Sequence, residues 1–359
     1  MRILLISAYD AVSHRRWREG LIKAFPEHDW TVLSLKPRFF SWRMRGNPYS
    51  LVFREKEVLT QRYDLMVVTS MTDLSTLRGL MPHLALLPTV VYFHENQFAY
   101  PVRNSDVQRE IFHFCMANLY TALCATTVVF NSMYNRDSFF TGAYELLKKM
   151  PDFAPKQPVR DLEPKVRVLS VPLEERFFKG SNKLRVPRSI LWNHRWEYDK
   201  APDVFFNALK ILKNKGIDFS LFVVGQRFKD APDCFEEAKR LFQEEIQVWG
   251  YVELSEYELI LQTCAVVVST ALHEFQGLAL QEAIASGATP IVPDRLAYVE
   301  YVPENLRYRS SPEDQSLEAN SLAEKISEVF ETEPQSVDLS RLSWGNMKPA
   351  YGELLIEHT

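Results

Sequence analysis

The sequence predicts an α/β protein of two doubly wound, parallel-sheet domains facing a cleft. Three observations lead there. Short apolar runs of strand length alternate with helical patterns along the chain, as buried parallel strands joined by crossover helices require. The alternation breaks at a polar stretch near residues 174–187 and then starts afresh. The length, 359 residues, exceeds what one hydrophobic core usually serves.

Taken in order, Arg2–Ala8 reads as a buried strand and Arg16–Phe25 as a helix. Thr31–Leu35, Leu65–Thr69, Val90–His94, Thr127–Asn131 and Val166–Val171 read as further strands, and the proline-rich Pro151–Pro164 as a surface excursion before the last of them. The longest uncharged stretch, Ile111–Asn135, holds His113, Asn118 and Asn131 and turns β-branched at Thr126. It therefore reads as a buried helix followed by a buried strand, not as a membrane span. Past the polar stretch come strand Ser189–Asn193, helix Ala201–Lys215, strand Phe219–Gly225, helix Phe235–Glu244 and strand Ile246–Trp249. Helix Glu256–Gln262, strand Ala265–Thr270, helix Gly277–Ser286, strand Thr289–Val292 and helix Leu317–Phe330 complete the second set. The expected division is a first domain at 1–173, a linker at 174–187 and a second domain at 188–340. A final helix, Asn346–Glu357 within 341–359, is expected to pack back toward the first domain.

Hydrophobic residues at 46% and charged residues at 25% are those of an ordinary globular protein. No secretory leader is expected, because Met1-Arg2 leads into only four apolar residues before Ser7. Cys115, Cys124, Cys234 and Cys264 form no C-x-x-C pair, so reduced thiols of a cytoplasmic protein are expected and a zinc site is not. Charge is uneven: residues 1–173 carry 22 Lys and Arg against 16 Asp and Glu, residues 174–359 carry 20 against 30. A basic half beside an acidic one suggests that one of them meets a polyanion.

After Ala265–Thr270 the chain runs His273-Glu274-Phe275-Gln276-Gly277-Leu278-Ala279-Leu280-Gln281-Glu282. A strand that enters a helix through a glycine presents free backbone N–H groups at a positive helix end, where phosphates bind. Glu274 and Glu282 cannot serve a phosphate, but they can accept hydrogen bonds from hydroxyls. Phosphate donors flanked by hydroxyl acceptors describe a nucleotide-sugar pocket. The turn after Ser189–Asn193 adds Arg195 and Lys200, two cations that can clamp a diphosphate through charge-assisted bonds; taken alone they are an ordinary surface pair. Gly250-Tyr251 follows a short strand, and backbone amides there can read a base edge. No D-x-D occurs, so no metal and no cofactor are expected, and Arg195, Lys200 and the helix end must neutralise the phosphates. No G-x-G-x-x-G follows the first strand, which removes the main support for a dinucleotide dehydrogenase.

In the first half, Ser13 suits a helix cap and His14, at the helix start, is expected to face the cleft. His94-Glu95-Asn96-Gln97 is a polar run at a strand's carboxyl end, a good hydrogen-bonding set for a polar substrate; the plain alternative for His94 is a satisfied buried histidine. Lys36–Lys56 carries Lys36, Arg38, Arg43, Arg45, Arg54 and Lys56 against Glu55, with Phe39, Phe40, Trp42, Tyr49 and Phe53 interleaved. Cations with stacking rings suit RNA, and Arg15 and Arg16 add to the basic side. With Gly46 and Pro48 inside it the segment reads as a loop, and the plain alternative is a solvated loop whose rings fold into the core.

Arg195…Lys200, Gly250-Tyr251 and Glu274-x(7)-Glu282 with Phe275-Gln276-Gly277 inside together resemble the retaining family 4 glycosyltransferases of the GT-B fold, two Rossmann-like domains. The resemblance implies that Glu282 holds the ribose hydroxyls of the donor. It also implies that Glu274 and the amides of Phe275, Gln276 and Gly277 meet the sugar and the diphosphate. Tyr92-Phe93-His94-Glu95-Asn96-Gln97, Ser13-His14 and Phe130-Asn131-Ser132 are similar to the tRNA-queuosine α-mannosyltransferase family, also called glycosyltransferase-like domain-containing protein 1. That likeness extends over nearly the whole chain. It implies transfer of mannose from GDP-mannose to the cyclopentenediol of queuosine in the anticodon of tRNA-Asp. Ser13, His14, Glu95, Asn96, Gln97, Asn131 and Ser132 then belong to the acceptor side, and Arg15, Arg16, Arg38, Arg43, Arg45 and Arg54 to the RNA. In the expected mechanism His94 and Glu274 stand at the reacting centre, the anomeric configuration is retained and no enzyme nucleophile is needed. In one departure from the family pattern, Ala11-Val12 stand before Ser13-His14 where a glycine pair is expected.

Two other readings compete. A lipid or polysaccharide acceptor at a membrane needs an amphipathic basic helix on the first domain, which a loop at Lys36–Lys56 does not supply. A non-catalytic RNA-binding protein with a residual nucleotide pocket has no need of an intact Arg195, Lys200, Glu274 and Glu282.

Overall fold

The computed structural model describes residues 1–100, 105–179, 185–228 and 231–357, the side chains of 105–110 excepted. It divides into two compact units, Met1–Pro172 with the C-terminal residues from Met347, and Leu173–Asn346.

The first unit is one parallel sheet of β1 (Arg2–Ser7), β2 (Asp29–Ser34), β3 (Leu65–Thr69), β4 (Thr89–Phe93), β5 (Thr127–Phe130) and β6 (Val166–Val168), ordered β2-β1-β3-β4-β5-β6. Helices cover both faces of such a sheet, so its central strands are continuously apolar: β3, β4 and β5 are buried at every position. Alternate residues Leu4, Ile6, Met66, Val68, Val91, Phe93, Val128 and Phe130 share one core cluster. Burying each such side chain contributes about 1.5–3 kcal/mol. The C-terminal helix Trp344–Ile356 buries Tyr351, whose hydroxyl accepts from Trp17 Nε1 at 3.1 Å and donates to the Ser170 carbonyl at 2.9 Å.

The second unit repeats the plan with β7 (Val186–Trp192), β8 (Ser220–Val224), β9 (Ile246–Gly250), β10 (Cys264–Val268), β11 (Thr289–Pro293) and β12 (Arg307–Tyr308), ordered β12-β11-β10-β7-β8-β9 and parallel throughout. Helix Pro202–Asn214 buries Val204, Phe205, Phe206, Ala208, Leu209 and Leu212, and helix Gln315–Phe330 packs against it, with Asp314 accepting from Leu317 N at 3.0 Å as its cap. In this order the direction of strand addition reverses between β7 and β10, and ligands in doubly wound sheets sit beyond the carboxyl ends at such a point.

Several expectations are corrected. The stretch 174–187 is not a bare linker: Glu175–Phe178 form a turn with Phe177 buried, and β7 begins at Val186. Backbone bonds from Leu173 to Leu342 and Trp344 tie its start into the second unit, and its residues 180–184 lie outside those described. Helix Val12–Ala24 starts four residues earlier than expected, so Ser13 lies inside it and Ala11, making no side-chain cap bond, precedes it. Ala11 has φ −59, which no glycine is needed to reach. Lys36–Lys56 is not a loop but contains the helix Phe40–Arg54. Pro48 within it cannot donate to the Met44 carbonyl, and the Asn47 amide compensates by donating to Arg43 O at 2.6 Å, Met44 O at 3.4 Å and Met71 O at 3.0 Å. Asn47 Oδ1 also accepts from Asp73 N at 3.2 Å.

Candidate active site

The reversal at β7 and β10 brings together the two second-unit turns that the sequence singles out. Thr270 Oγ1 donates to the Lys200 carbonyl at 2.7 Å, and Leu272 N donates to the Asp199 carbonyl at 2.7 Å. Lys200 is buried beneath the second turn. Its Nζ lies 2.7 Å from the His273 carbonyl, 3.3 Å from Glu274 Oε2 and 3.2 Å from Asp199 Oδ2. An ammonium has three N–H groups, and three acceptors surround this one. Burial pushes the Lys200 pKa down, but Glu274 and Asp199 outweigh it and the net shift is upward. Burial likewise works against the charge of Glu274, yet Lys200 overrides it and holds the carboxyl down at about 2. The Glu274 side chain keeps 24% of its exposure, so an ionised carboxylate remains partly accessible.

Arg195 stands apart from Lys200: its side chain is half-exposed and pairs with Glu197 at 3.0 Å. The expected twin clamp is thus divided into one accessible guanidinium and one ammonium committed to ordering Glu274. His194 and His273 are buried beside them, each held at about 4 first by burial and then by Lys200. Both are neutral at physiological pH.

Gly277 has φ +83 and opens helix Leu278–Ala285. A Cβ there would also meet the Tyr301 hydroxyl at 2.7 Å, so backbone angle and space both select glycine. Phe275 and Gln276 turn their side chains inward: Phe275 packs edge-on to His273 at 4.8 Å, and Gln276 Nε2 donates to Gln281 Oε1 at 2.9 Å. Glu282 is buried, and its Oε2 accepts from the Tyr257 hydroxyl at 3.0 Å. Asn193 donates to that same hydroxyl at 3.0 Å and to the Ala279 carbonyl at 2.7 Å. Gly250 ends β9 at φ +111, and Tyr251 beyond it is exposed.

The first unit holds a second cluster. His14 and His94 stack at 4.1 Å, and Trp17 meets the edge of His94 at 5.0 Å and stacks on Tyr92 at 4.3 Å. His14 is held at about 4 by burial, against a weaker upward pull from Asp10. His94 lies well below the ordinary histidine range through burial and the neighbouring His14. His14 Nδ1 and His94 Nε2 are buried without a hydrogen-bond partner among the described residues. Two neutral imidazoles in that state are poised for a ligand.

Other residues expected on the acceptor side bond to the surrounding protein. Asn96 Oδ1 accepts from Phe98 N and Ala99 N, while its amide donates to Asn135 and Ser138. Gln97 is buried against Met71, Asn118 and Cys115. Asn131 donates to the His94 carbonyl at 2.9 Å, and Ser132 caps helix Met133–Lys148 by accepting from Asn135 N at 3.0 Å. These polar groups satisfy backbone that the end of β4 leaves open. Ser13 and Glu95 are half-buried. Of the arginines, Arg15 and Arg38 are exposed, Arg16 and Arg43 half-buried, Arg45 pairs with buried Asp73 at 3.3 Å and Arg54 with Glu55 at 3.0 Å. All four cysteines are free.

Residues that sequence reasoning passed over include His194, Asp199, Asn193, Tyr257 and Tyr301. Asn193-His194 after β7 repeats the pattern of His94 after β4, a signal that was present; nothing local points to Tyr257, on helix Leu254–Thr263, or to Tyr301, just past the turn Leu296–Glu300.

Comparison with known proteins adds the following. The family described as tRNA-queuosine alpha-mannosyltransferase N-terminal matches residues 2–173, and that described as Glycosyl transferases group 1 matches residues 174–342. The chain is 32% identical over 319 residues to a Drosophila melanogaster protein named tRNA-queuosine alpha-mannosyltransferase, covering 86% of this chain and 84% of that one. Among solved structures it resembles sucrose-phosphate synthase from Thermosynechococcus elongatus, with TM-score 0.69 and 14% identity over 99% of this chain and 98% of that one. It also resembles Anabaena HepE in complex with UDP, with TM-score 0.65 and 11% identity over 99% and 100%. At those identities the structures show the fold, which is GT-B.

Proposed function

The chain belongs to the tRNA-queuosine alpha-mannosyltransferase family, and from that premise we propose that it transfers mannose from GDP-mannose to queuosine in tRNA-Asp, with the anomeric configuration retained and without a metal ion. The observation that carries the donor half is Glu274, kept ionised against Lys200 at a turn whose glycine opens a helix. The helix end and Arg195 take the diphosphate, Glu274 accepts from sugar hydroxyls, and Glu282, fixed by Tyr257, accepts from the ribose. Lys200 acts chiefly by aiming Glu274.

In the transfer the bond from the anomeric carbon to the diphosphate oxygen breaks as the acceptor hydroxyl oxygen bonds to that carbon from the same face. The hydroxyl proton goes to the departing phosphate. Negative charge grows on the diphosphate, where preorganised N–H groups and Arg195 stabilise it; such electrostatic help is usually the largest single contribution. His94 and His14, neutral and, among the described residues, without partners at His94 Nε2 and His14 Nδ1, orient hydroxyls without adding charge. A tRNA acceptor goes with a cytoplasmic enzyme. Among the described residues no helix is long and apolar enough to cross a membrane.

The second reading is a lipid or polysaccharide acceptor. The helix Phe40–Arg54 favours it, since it is the amphipathic element that reading lacked; the family match over residues 2–173 outweighs it. Mass spectrometry of tRNA nucleosides decides, after incubation of queuosine-containing tRNA with GDP-mannose, UDP-glucose or UDP-galactose, with and without EDTA. A hexose on queuosine from GDP-mannose alone, undiminished by EDTA, is expected. Failure to modify queuosine with any donor overturns the acceptor, and activity confined to a UDP-sugar overturns the donor.

A further inference from the structure

Helix Phe40–Arg54 has two apolar faces. Met44, Pro48, Leu51 and Val52 are buried, and Asn47 anchors that side to Met71 and Asp73. On the other side Trp42, Tyr49 and Phe53 are exposed at 52%, 62% and 67%, and Phe39, just before the helix, at 68%. Trp42, Gly46, Tyr49 and Phe53 are spaced four, three and four residues apart, so they form one stripe along about 16 Å of helix.

Gly46 is the informative member. A Cβ there would lie 2.6 Å from Trp42 Cδ2 and Cε2, so the indole lies flat on the helix over the glycine and turns its outer π-face to solvent. A glycine inside a helix weakens it, and here it makes room for that ring. Tyr49 and Phe53 follow at 4.7 Å between ring centres. Phe39 adopts the left-handed region at φ +55, which L side chains rarely occupy, and the Arg38 guanidinium sits over its ring at 5.3 Å. Backbone strain of this kind gathers at functional sites.

We propose that this stripe is a stacking platform for unpaired bases of the RNA acceptor, with Arg38 and Arg54 beside it for the backbone phosphates. The proposal rests on the tRNA reading above and deepens it. Its chemistry follows from the stripe itself. Every base has a π-face, so flat exposed rings bind single-stranded RNA loops without needing a particular sequence. Residues 36–57 carry six Lys and Arg against two Glu, complementary to a polyanion. A membrane-surface helix lays a broad apolar sector, at least about 100° wide and rich in Trp, Phe and Leu, into the headgroup boundary. Here the sector is narrow, entirely aromatic, and holds its largest ring flat against the helix.

The test uses the full chain and three probes: a fluorescein-labelled anticodon stem–loop RNA, a blunt RNA duplex of the same length, and phosphatidylserine vesicles. Trp42→Ala, Tyr49→Ala and Phe53→Ala are each expected to weaken stem–loop binding by roughly tenfold, and the triple variant by roughly a hundredfold or more. Gly46→Ala, which lifts the indole, is expected to weaken it several-fold while leaving the helix intact by circular dichroism. Duplex binding and GDP affinity should stay within about twofold. A triple variant that binds the stem–loop as well as wild type overturns the platform, as does equal loss on duplex and loop, or vesicle binding lost in place of RNA binding. If the wild type modifies tRNA while the triple variant keeps its RNA affinity, the platform fails and the function stands; if the wild type binds no RNA at all, both fail.

Discussion

Replacing Lys200 with methionine tests the electrostatic core of the Glu274 turn. The substitution keeps the length of the stem and removes three bonds, to the His273 carbonyl, Glu274 and Asp199. It leaves two carboxylates facing each other in a largely buried site. Breaking one partner out of a buried pair costs roughly 3–5 kcal/mol, because the remaining charge is uncompensated. The effect must depend on pH, and its sign follows from Glu274. The folded-state pKa of Glu274 is depressed to about 2, so the stability it contributes is full above the ordinary carboxylate range and is lost as pH falls toward 2. In Lys200→Met the main depressing charge is gone, only His194 and His273 still pull that pKa down, and burial raises it, so protonation relieves the variant as the solution is acidified. Wild type and variant should therefore differ most at pH 7 and draw together as pH falls toward 2. Urea unfolding followed by the fluorescence of Trp192 and Trp196, both buried in this unit, reads the difference. Adding Glu274→Gln to Lys200→Met should restore part of the loss at pH 7. A loss below about 1 kcal/mol at pH 7, or one of the same size at both pH values, refutes the idea that Lys200 exists to hold Glu274 charged.

Other consequences can be checked alongside. Gly277→Ala should lower the thermal midpoint and weaken GDP binding, since the left-handed backbone costs about 1 kcal/mol and the new methyl meets the Tyr301 hydroxyl; Tyr301→Phe in the same chain should recover only the steric part, and full recovery would exclude the backbone cause. Glu282→Ala should weaken GDP binding by about ten- to a hundredfold in calorimetry, the roughly 1.5–3 kcal/mol of bonds to a charged group; unchanged affinity removes Glu282 from the ribose site. Because His14 sits at about 4 and His94 well below the ordinary range, kcat/KM should show no limb near pH 6.5 on the acid side, and a limb there that His94→Gln abolishes defeats the neutral assignment. Both shifts are depressions of a base, so the stability that buried neutral imidazoles allow is full above pH 6.5 and declines as pH falls below it.

Most of the scaffold was legible because parallel strands buried on both faces must be apolar at every position. Leu65–Thr69 is found as expected, and Thr127–Asn131 and Ile246–Trp249 differ from the observed strands by one residue. β12, two residues long, carries too short a pattern to stand out. Helix Phe40–Arg54 was hidden for a physical reason. Gly46 and Pro48 are poor helix formers, and what rescues the helix is Asn47 bonding to Met71 and Asp73, residues far along the chain. Its periodicity was also blurred, because rings on the exposed face fill positions that a one-sided amphipathic helix leaves polar.

The two clusters, one in each unit, differ in legibility for a related reason. On the donor side, the glycine at positive φ, the carboxylate before it and the one after it belong to one strand–turn–helix, so ten consecutive residues encode most of the geometry. On the acceptor side, a polar residue at the end of a strand has two possible partners, a ligand or an open backbone group, and both select the same residue types. Asn96, Asn131 and Ser132 went to backbone, whereas His14 and His94 were left with nitrogens that no described group satisfies. The distinguishing fact is not the residue type but the count of donors and acceptors around it, and that count exists only once β1 and β4 have brought the two imidazoles face to face at 4.1 Å. The same accounting reassigns Lys200: a lysine near a diphosphate site invites the role of phosphate clamp, yet three acceptors around three N–H groups leave no donor over, so a phosphate can reach it only by displacing Glu274, Asp199 or a backbone carbonyl.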